Sequence, residues 1–234
     1  MTANNNIQFE IVELPSKGEC YRTKTSKLPV AYLTANDENI IFSEKLLRDG
    51  TMCDVLLERK VLDKDFNIDD LCIADRQKIL LWLRRTGYGN NYTYINKQGK
   101  ERQLDLSTIT FKDFNRKGDE QGHFEYVVPD GNTVKYRLLT HRDETEISRY
   151  VEELDNEIIA GTEMSETEYY CKVARNILLH QIVSVNGTSN IDAWLDGLKY
   201  EDFKFLVEYL QETVPGTTSN NRIELNEELF YNLK

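Results

Sequence analysis

The sequence predicts an α+β fold, in which short strands and two β-hairpins alternate with helices and the final third is rich in helix. Three observations lead to this prediction. Turn-forming residues separate short alternating apolar segments, and apolar residues recur at helical spacing between them. In addition, a Leu-Thr-x-x-Asp-Glu pattern occurs twice, at residues 33–38 and 139–144.

Two further segments follow each copy of this pattern in the same order, so that two related strand-cap-helix units are predicted. Their matched residues are Val55, Leu56, Leu57 and Val61 with Ile177, Leu178, Leu179 and Val183, and then Leu71, Asp75, Ile79 and Leu83 with Leu198, Asp202, Leu206 and Leu210. Single matches at helical spacing arise by chance, whereas three collinear matches favour duplication of a small unit. Duplicated units are typical of scaffold and adaptor proteins rather than of enzymes.

The N-terminal element is a predicted strand over 7–14, where apolar residues recur with a period close to two. Pro15 and Gly18 then predict a turn that presents a short, stiff loop. A second short strand is predicted over 30–33. It runs into Thr34, whose hydroxyl can cap the start of a helix.

Three helices are predicted to follow this cap. The first covers about 36–49, the second about 52–62, and the third begins at Asp69 or Asp70. The third helix carries an apolar face at helical spacing, and the Gly-Tyr-Gly segment at 87–89 ends it.

Glycine-bearing turns predict the two hairpins. The first joins strands at 92–95 and 102–106, and the second joins strands at 124–128 and 133–139. The Pro-Asp-Gly-Asn turn at 129–132 is the strongest short-range signal in the chain.

The rest of the chain is predicted to be mainly helical, with a short strand and a last turn from Ile223 onward. The predicted helices cover about 141–159, 165–184, 189–195 and 199–213. The predicted domain organisation is an N-terminal strand and loop at 1–29, a first α+β unit with a hairpin at 30–122, and a second unit at 123–234 with a hairpin and an acidic helical region.

Composition predicts a soluble protein. The 234 residues are 40% hydrophobic and 29% charged, as in ordinary globular proteins. No segment approaches the ~18 consecutive apolar residues of a membrane span, and the first residues lack the pattern of a secretory signal. We therefore expect a protein that is made in a cytoplasm and does not insert into membranes.

The net charge of −11 is unevenly distributed. Residues 1–141 hold 21 Lys and Arg against 21 Asp and Glu, whereas residues 142–234 hold 8 against 19. Because phosphate contacts need clustered Lys and Arg, we expect no nucleic-acid partner. The acidic half is either a solvated face or a surface that meets a basic partner protein and steers its approach.

No motif indicates catalysis, a metal site or a cofactor, and we expect a protein without enzymatic activity. The four cysteines are far apart and form no C-x-x-C pair, which favours buried thiols over a zinc site. His123, His141 and His180 are isolated. The polar cluster at 140–144 is better explained by helix capping, because neighbouring residues at a helix start point in different directions.

Arginine and tyrosine are concentrated in one segment, at Arg84, Arg85, Tyr88, Tyr92 and Tyr94. Such residues can stack against single-stranded nucleic acid, but one basic pair is too little for a groove that follows a nucleic-acid backbone. The same residue types concentrate at the centres of protein interfaces. We therefore predict a protein contact at this segment.

Several landmarks occur in a fixed order along residues 10–150. They are Leu14-Pro15-Ser16-Lys17-Gly18 with Tyr21, Leu33-Thr34-Ala35-Asn36-Asp37-Glu38, Gly50-Thr51 with Asp54 and Leu56-Leu57, Asp75 with Arg84 and Gly87-Tyr88-Gly89, and the segment 136–144. In this order they resemble the baseplate hub and hub-assembly proteins of contractile-tailed phages of the T-even type. The acidic helical remainder of the chain carries no landmark of that family.

The chain departs from this family at one point. Some relatives carry a cysteine pair after the tyrosine-glycine segment, where this chain has Tyr92-Thr93-Tyr94 and the polar residues 96–99. The resemblance therefore implies no metal here.

The resemblance implies a non-enzymatic part of tail morphogenesis. The protein would be a virion baseplate hub or tail-assembly protein, assembled in the host cytoplasm, whose partners are other tail and baseplate proteins. The alternative is a transient assembly chaperone that is absent from the mature virion. We expect the contacts at the loop of Leu14, Pro15, Gly18 and Tyr21 and at the 84–94 segment, and oligomerisation within the baseplate is left open.

Overall fold

The protein has an α+β fold, as predicted, in which helices alternate with short antiparallel strands. The structure, a computed structural model, describes residues 7–95, 99–218 and 228–231. The chain forms two compact units. Unit 1 consists of Met1–Gly18, Thr25–Asp113 and Pro215–Lys234, and unit 2 consists of Glu19–Lys24 and Phe114–Val214. The division at 29/30 and 122/123 that the sequence suggests stays a prediction.

The described residues contain seven strands and nine α-helices. The strands are β1 (Phe9–Glu13), β2 (Lys27–Ala31), β3 (Asn91–Ile95), β4 (Glu101–Asp105), β5 (Phe124–Val127), β6 (Thr133–Tyr136) and β7 (Ile182–Val185). The helices are α1 (Glu38–Ile41), α2 (Glu44–Arg48), α3 (Met52–Lys60), α4 (Ile73–Tyr88), α5 (His141–Ile159), α6 (Glu166–Gln181), α7 (Ile191–Gly197), α8 (Tyr200–Thr213) and α9 (Glu228–Tyr231).

Unit 1 begins with the antiparallel pair β1–β2, in which Phe9 lies opposite Ala31. β2 starts before Pro29, earlier than the sequence suggests. The proline is tolerated because its nitrogen faces away from β1. On that side Pro29 accepts a hydrogen bond from the N–H of Leu62 at 2.9 Å, and Val30 forms an antiparallel bridge with Val61.

The single helix predicted over 36–49 is wrong, because the chain breaks at Phe42 and Ser43 into α1 and α2. Ser43 is the N-cap of α2, and its hydroxyl accepts a hydrogen bond from the N–H of Leu46. A serine that can satisfy the backbone in this way favours a new helix start over helix continuation.

The helix α4 and the β3–β4 hairpin complete the described part of unit 1 before the chain leaves it. Ile79, Leu80 and Leu83 of α4 are buried, and Gly89 ends the helix with a φ of +81°. The strands β3 and β4 pair antiparallel as predicted. Residues 96–98 of the predicted turn lie outside the described residues, as do residues 223–227 of the predicted C-terminal strand.

Unit 2 contains a three-stranded sheet in the order β5-β6-β7. The helix predicted over 165–184 is wrong beyond Gln181, because the next four residues form β7. Ile182 lies opposite Tyr136, and Val185 lies opposite Val134. β-Branched residues fit a pleated sheet, and the pairing with β6 outweighs the local helical period.

The two units share an order of elements. In each, a hairpin leads to a threonine N-cap, Thr34 or Thr140, and then to helices. The chain then returns to pair with the second strand of the hairpin, through Val61 in unit 1 and through β7 in unit 2. The predicted strand-cap-helix order is therefore present in both units.

Aromatic residues form the core of the sheet in unit 2. Phe124 lies 5.4 Å from Phe114 and 5.5 Å from Tyr136 between ring centroids. Tyr126 of β5 stacks on Tyr209 of α8 at 3.6 Å. In the described residues, no helix is both long enough and apolar enough to cross a bilayer.

Candidate functional site

The structure places many of the predicted contact residues inside the protein. The buried ones are Leu14, Gly18, Tyr21, Arg84 and Tyr92, and the half-buried ones are Pro15, Arg85, Tyr88 and Tyr94. The half-buried residues of this set can offer surface to a partner without rearrangement. Their role in binding stays a prediction.

The loop after β1 is held in place by a buried carboxylate. Ser16 donates its backbone N–H to Asp75 Oδ1 at 2.8 Å and its hydroxyl to Asp75 Oδ2 at 2.5 Å. Both residues are fully buried, which explains why Leu14 and Gly18 lie inside unit 1. The sequence indicates Asp75 only as part of a helical pattern and as one of the ordered landmarks, and its burial, which reveals the anchor, is seen only in the structure.

Arg84 connects three parts of unit 1. Its guanidinium donates to the carbonyl of Leu229 at 2.8 Å, to that of Gly89 at 3.0 Å and to that of Asn91 at 3.3 Å. Burial lowers the pKa of Arg84. Tyr88 lies 5.4 Å from the guanidinium, so this arginine acts as an internal cross-link rather than as a surface cation.

Asp37 is the buried acid of the first cap. Its carboxylate accepts hydrogen bonds from the N–H and the hydroxyl of Thr34, and it pairs with Lys60 and with Arg59. Burial by itself would raise the pKa of Asp37, but the hydrogen bonds from Lys60 and Thr34 outweigh it and lower the pKa.

Asp143 occupies the same position in unit 2. It accepts hydrogen bonds from Thr140, and the Arg137 guanidinium donates to both of its oxygens at 2.7 and 2.6 Å. Burial would raise the pKa of Asp143, and these hydrogen bonds lower it instead. The capping interpretation of residues 140–144 is therefore confirmed. A carboxylate occupied in this way anchors a helix start.

The first exposed apolar surface lies on β1 and on the residues just before it. Ile7, Phe9 and Ile11 are 56%, 50% and 54% exposed, and they alternate along one face of the strand. Val12 and Leu14 face the core instead. The sequence predicted the alternation, but it did not show which of the two apolar sets remains exposed.

The second exposed surface is the C-terminal part of α5, which combines acidic and apolar side chains. We call Glu152, Asp155, Ile158 and Ile159 the α5 patch. Ile159 is 82% exposed and Ile158 is 40% exposed. Glu152, Asp155 and Ile159 share one helix face because they are spaced by three and four residues.

A cavity of about 200 Å³ lies between α6 and α8 in unit 2. Leu178, Val207 and Leu210 are among the residues that line it, and Gln181 and Tyr170 supply polar atoms. This lining offers apolar contact to a ligand or to a partner side chain.

The surfaces on β1 and α5 thus combine exposed apolar side chains with, on α5, acidic ones. A scan against protein-family models finds no matching family, and neither the curated proteins nor the solved structures include a match to this chain.

Proposed function

We propose that this protein is a non-enzymatic baseplate hub or tail-assembly protein of a contractile-tailed phage, built into the tail baseplate in the host cytoplasm. It acts by binding other tail proteins. The order of motifs along residues 10–150 supports the phage context, and the exposed surfaces of the folded chain support binding as the mode of action.

The single observation that carries the binding function is the α5 patch. Large apolar side chains that are exposed on a folded domain are typical of surfaces that another protein covers. The last turn of α5 holds Glu157 and no basic residue, although the negative end of the helix dipole disfavours an acid there. This composition does not add to helix stability, and it supports binding to a basic partner.

The partner surface should therefore be complementary. We expect apolar side chains that cover Ile158 and Ile159, with Lys or Arg placed to meet Glu152 and Asp155. The acidic residues would speed the encounter and orient the partner, and the isoleucines would supply most of the affinity.

A deletion and complementation experiment in the encoding phage tests this proposal. Without the protein we expect few or no complete contractile tails in electron micrographs. Supplying the wild-type chain from a plasmid should restore them. The variant Glu152→Lys/Ile159→Ser should raise the dissociation constant of the contact about tenfold or more, which corresponds to ~1.4 kcal/mol of lost contact energy, and should therefore lower the phage titre.

Val127→Ser is the matched control, because Val127 is 59% exposed and lies in the same unit but on β5 rather than on α5. This variant should restore tails as well as the wild type does. Normal contractile tails on the deletion phage would overturn the proposal. Full restoration by the α5 variant would overturn the assignment of the contact to α5.

The cavity between α6 and α8 favours a second candidate, a transient assembly chaperone. An apolar cavity of about 200 Å³ can receive the side chains of a hydrophobic segment of a tail protein. Such a chaperone would be needed for tails and absent from finished virions. Mass spectrometry of purified virions separates the candidates, because a structural subunit must be present at a fixed copy number.

A further inference from the structure

The outer edge of β1 carries backbone groups that face away from β2. The N–H of Tyr32 donates to the carbonyl of Gln8 at 3.1 Å, and the N–H of Leu14 donates to the carbonyl of Ser26 at 2.9 Å. Hydrogen bonding alternates along an antiparallel pair, so the even-numbered residues of β1 direct their N–H and C=O groups towards β2. The odd-numbered residues of the segment 7–13 direct theirs outward.

The same odd-numbered residues carry the exposed apolar side chains Ile7, Phe9 and Ile11. Within residues 7–95, 99–218 and 228–231, β2 is the strand that pairs with β1, and no other strand covers its outer edge. An edge of this kind readily accepts a further strand, because it combines available N–H and C=O groups with apolar residues at every second position.

We propose that β1 of a second copy of this chain pairs antiparallel with this edge, about a two-fold axis at Phe9. Phe9 then lies opposite its own counterpart, and Ile7 lies opposite Ile11. The outward N–H and C=O groups of these three residues are satisfied in both copies. The pairing is isologous, so it closes as a dimer.

The side chains of β1 select this register over its neighbours. With the axis at Phe9, Ile7, Phe9 and Ile11 each face an apolar residue, and neutral Gln8 lies opposite Glu10, whose carboxylate accepts hydrogen bonds from Tyr32 and Trp82 of its own chain. A shift by one pairing step in one direction would place Glu10 opposite Glu10, and like charges in direct opposition destabilise a sheet. A shift in the other direction would leave Ile11 without an apolar counterpart.

This self-complementarity is the reason to assign the edge to a second copy. A strand from an unrelated protein would need three apolar residues at alternate positions and a neutral residue opposite Glu10. The segment 7–11 already has both properties.

Analytical ultracentrifugation of the full chain over a range of concentrations tests the proposal. The wild type should form a dimer. Phe9→Pro should raise the dimer dissociation constant about tenfold or more, because proline removes an N–H that points outward and leaves the hydrogen bonds to β2 intact. Phe9→Lys is a second variant, which tests the proposal even if the proline variant fails to fold. It places two cations opposite each other and should have the same effect.

Phe42→Lys is the matched control, since Phe42 is also 50% exposed and lies in the same unit. It should leave the dimer unchanged. Circular dichroism of each variant verifies that the monomer is folded. A wild-type chain that stays monomeric at every concentration would overturn the proposal. The proposal would also be overturned if Phe9→Pro and Phe9→Lys both fold and still form the dimer.

A cross-link tests the register. Phe9→Cys should form a disulfide between copies on mild oxidation, because Cα atoms in a hydrogen-bonded pair lie about 5.5 Å apart, within disulfide reach. Phe42→Cys and the wild type, oxidised in parallel, should not give this product. Absence of a disulfide at position 9 in a dimeric sample would overturn the register.

Discussion

The guanidinium of Arg84 donates a hydrogen bond to the backbone carbonyl of Leu229 at 2.8 Å, although the two residues are 145 positions apart. Leu229 and Phe230 are fully buried, and the Phe230 ring meets Tyr88 edge to face. The described C-terminal helix α9 is thus joined to the end of α4. This relationship makes the arginine a stability determinant of unit 1.

Arg84→Met should lower the free energy of unfolding by about 2–4 kcal/mol, because the buried carbonyl of Leu229 and the part-buried carbonyls of Gly89 and Asn91 lose their charged donor. Urea denaturation measures the loss. Arg85→Met is the control and should cost about 0.5–1 kcal/mol, because half-buried Arg85 donates to the side chain of Asn90. Equal losses for the two variants would contradict the role of Arg84 as an internal cross-link.

Asp37 and Lys60 should behave as a coupled buried pair. Asp37→Asn keeps an acceptor for the cap but leaves the Lys60 ammonium, only 5% exposed, without its counter-charge, so we expect a loss of about 3–5 kcal/mol. Adding Lys60→Met should recover more than ~1 kcal/mol of that loss. A double-mutant cycle from urea denaturation curves measures this coupling. Additive losses would show that the ion pair does not act as a unit.

Gly122 lies just before β5 in unit 2, and it allows the backbone of the segment 19–24 to approach closely. Its φ is +82°, and a Cβ at this position would lie 2.2 Å from the carbonyl oxygen of Cys20. Gly122→Ala should therefore cost about 2–5 kcal/mol from backbone strain and overpacking together. Gly161→Ala, where φ is also positive but the space is open, should cost about 1–2 kcal/mol. Thermal denaturation of the two variants compares them, and equal costs would argue against a close approach.

The acid sensitivity of unit 2 should depend on Asp119. Burial would raise the pKa of Asp119, but the backbone N–H groups of His123 and Gln121 and the ammonium of Lys135 lower it to about 2. In the unfolded chain the same carboxyl has a pKa of about 3.9. A depressed folded pKa stabilises the protein fully above the unfolded value, and this contribution disappears as the pH falls from about 4 to 2.

Asp119→Asn removes this contribution, so the difference in unfolding free energy between wild type and variant should be constant above pH ~5 and shrink towards pH 2. Urea midpoints measured across this range give the difference directly. The exposed neighbour variant Glu120→Gln should keep the acid dependence of the wild type. A difference that stays constant down to pH 2 would contradict the predicted role of Asp119.

Local signals predicted much of the fold. The turn at 129–132 and the threonine caps act within a few residues, so the hairpin β5–β6 and the start of α5 follow from the sequence. The strand β7 does not, because Ile182 and its neighbours continue a helical period. Its pairing with β6, more than forty residues earlier in the chain, decides the structure.

The candidate site was harder to predict, because residue types that are common at interfaces can equally be buried inside the protein. Arginine and tyrosine concentrate at interfaces, which led to the prediction for Arg84 and Tyr92, but both are buried here. The acidic character of the second half was visible in the sequence. The exposure of Ile159 beside those acids could be recognised only from the way α5 packs in the structure. The apolar periodicity of α5 alone is typical of a helix that faces a core.

The central claim, that this protein works by binding tail proteins, is tested most directly by quantitative mass spectrometry of virions and tail-assembly intermediates purified from infected cells. The account predicts that the chain is present at a fixed copy number relative to baseplate proteins in virions, or in the intermediates alone if it is a chaperone. Its absence from both would contradict the account.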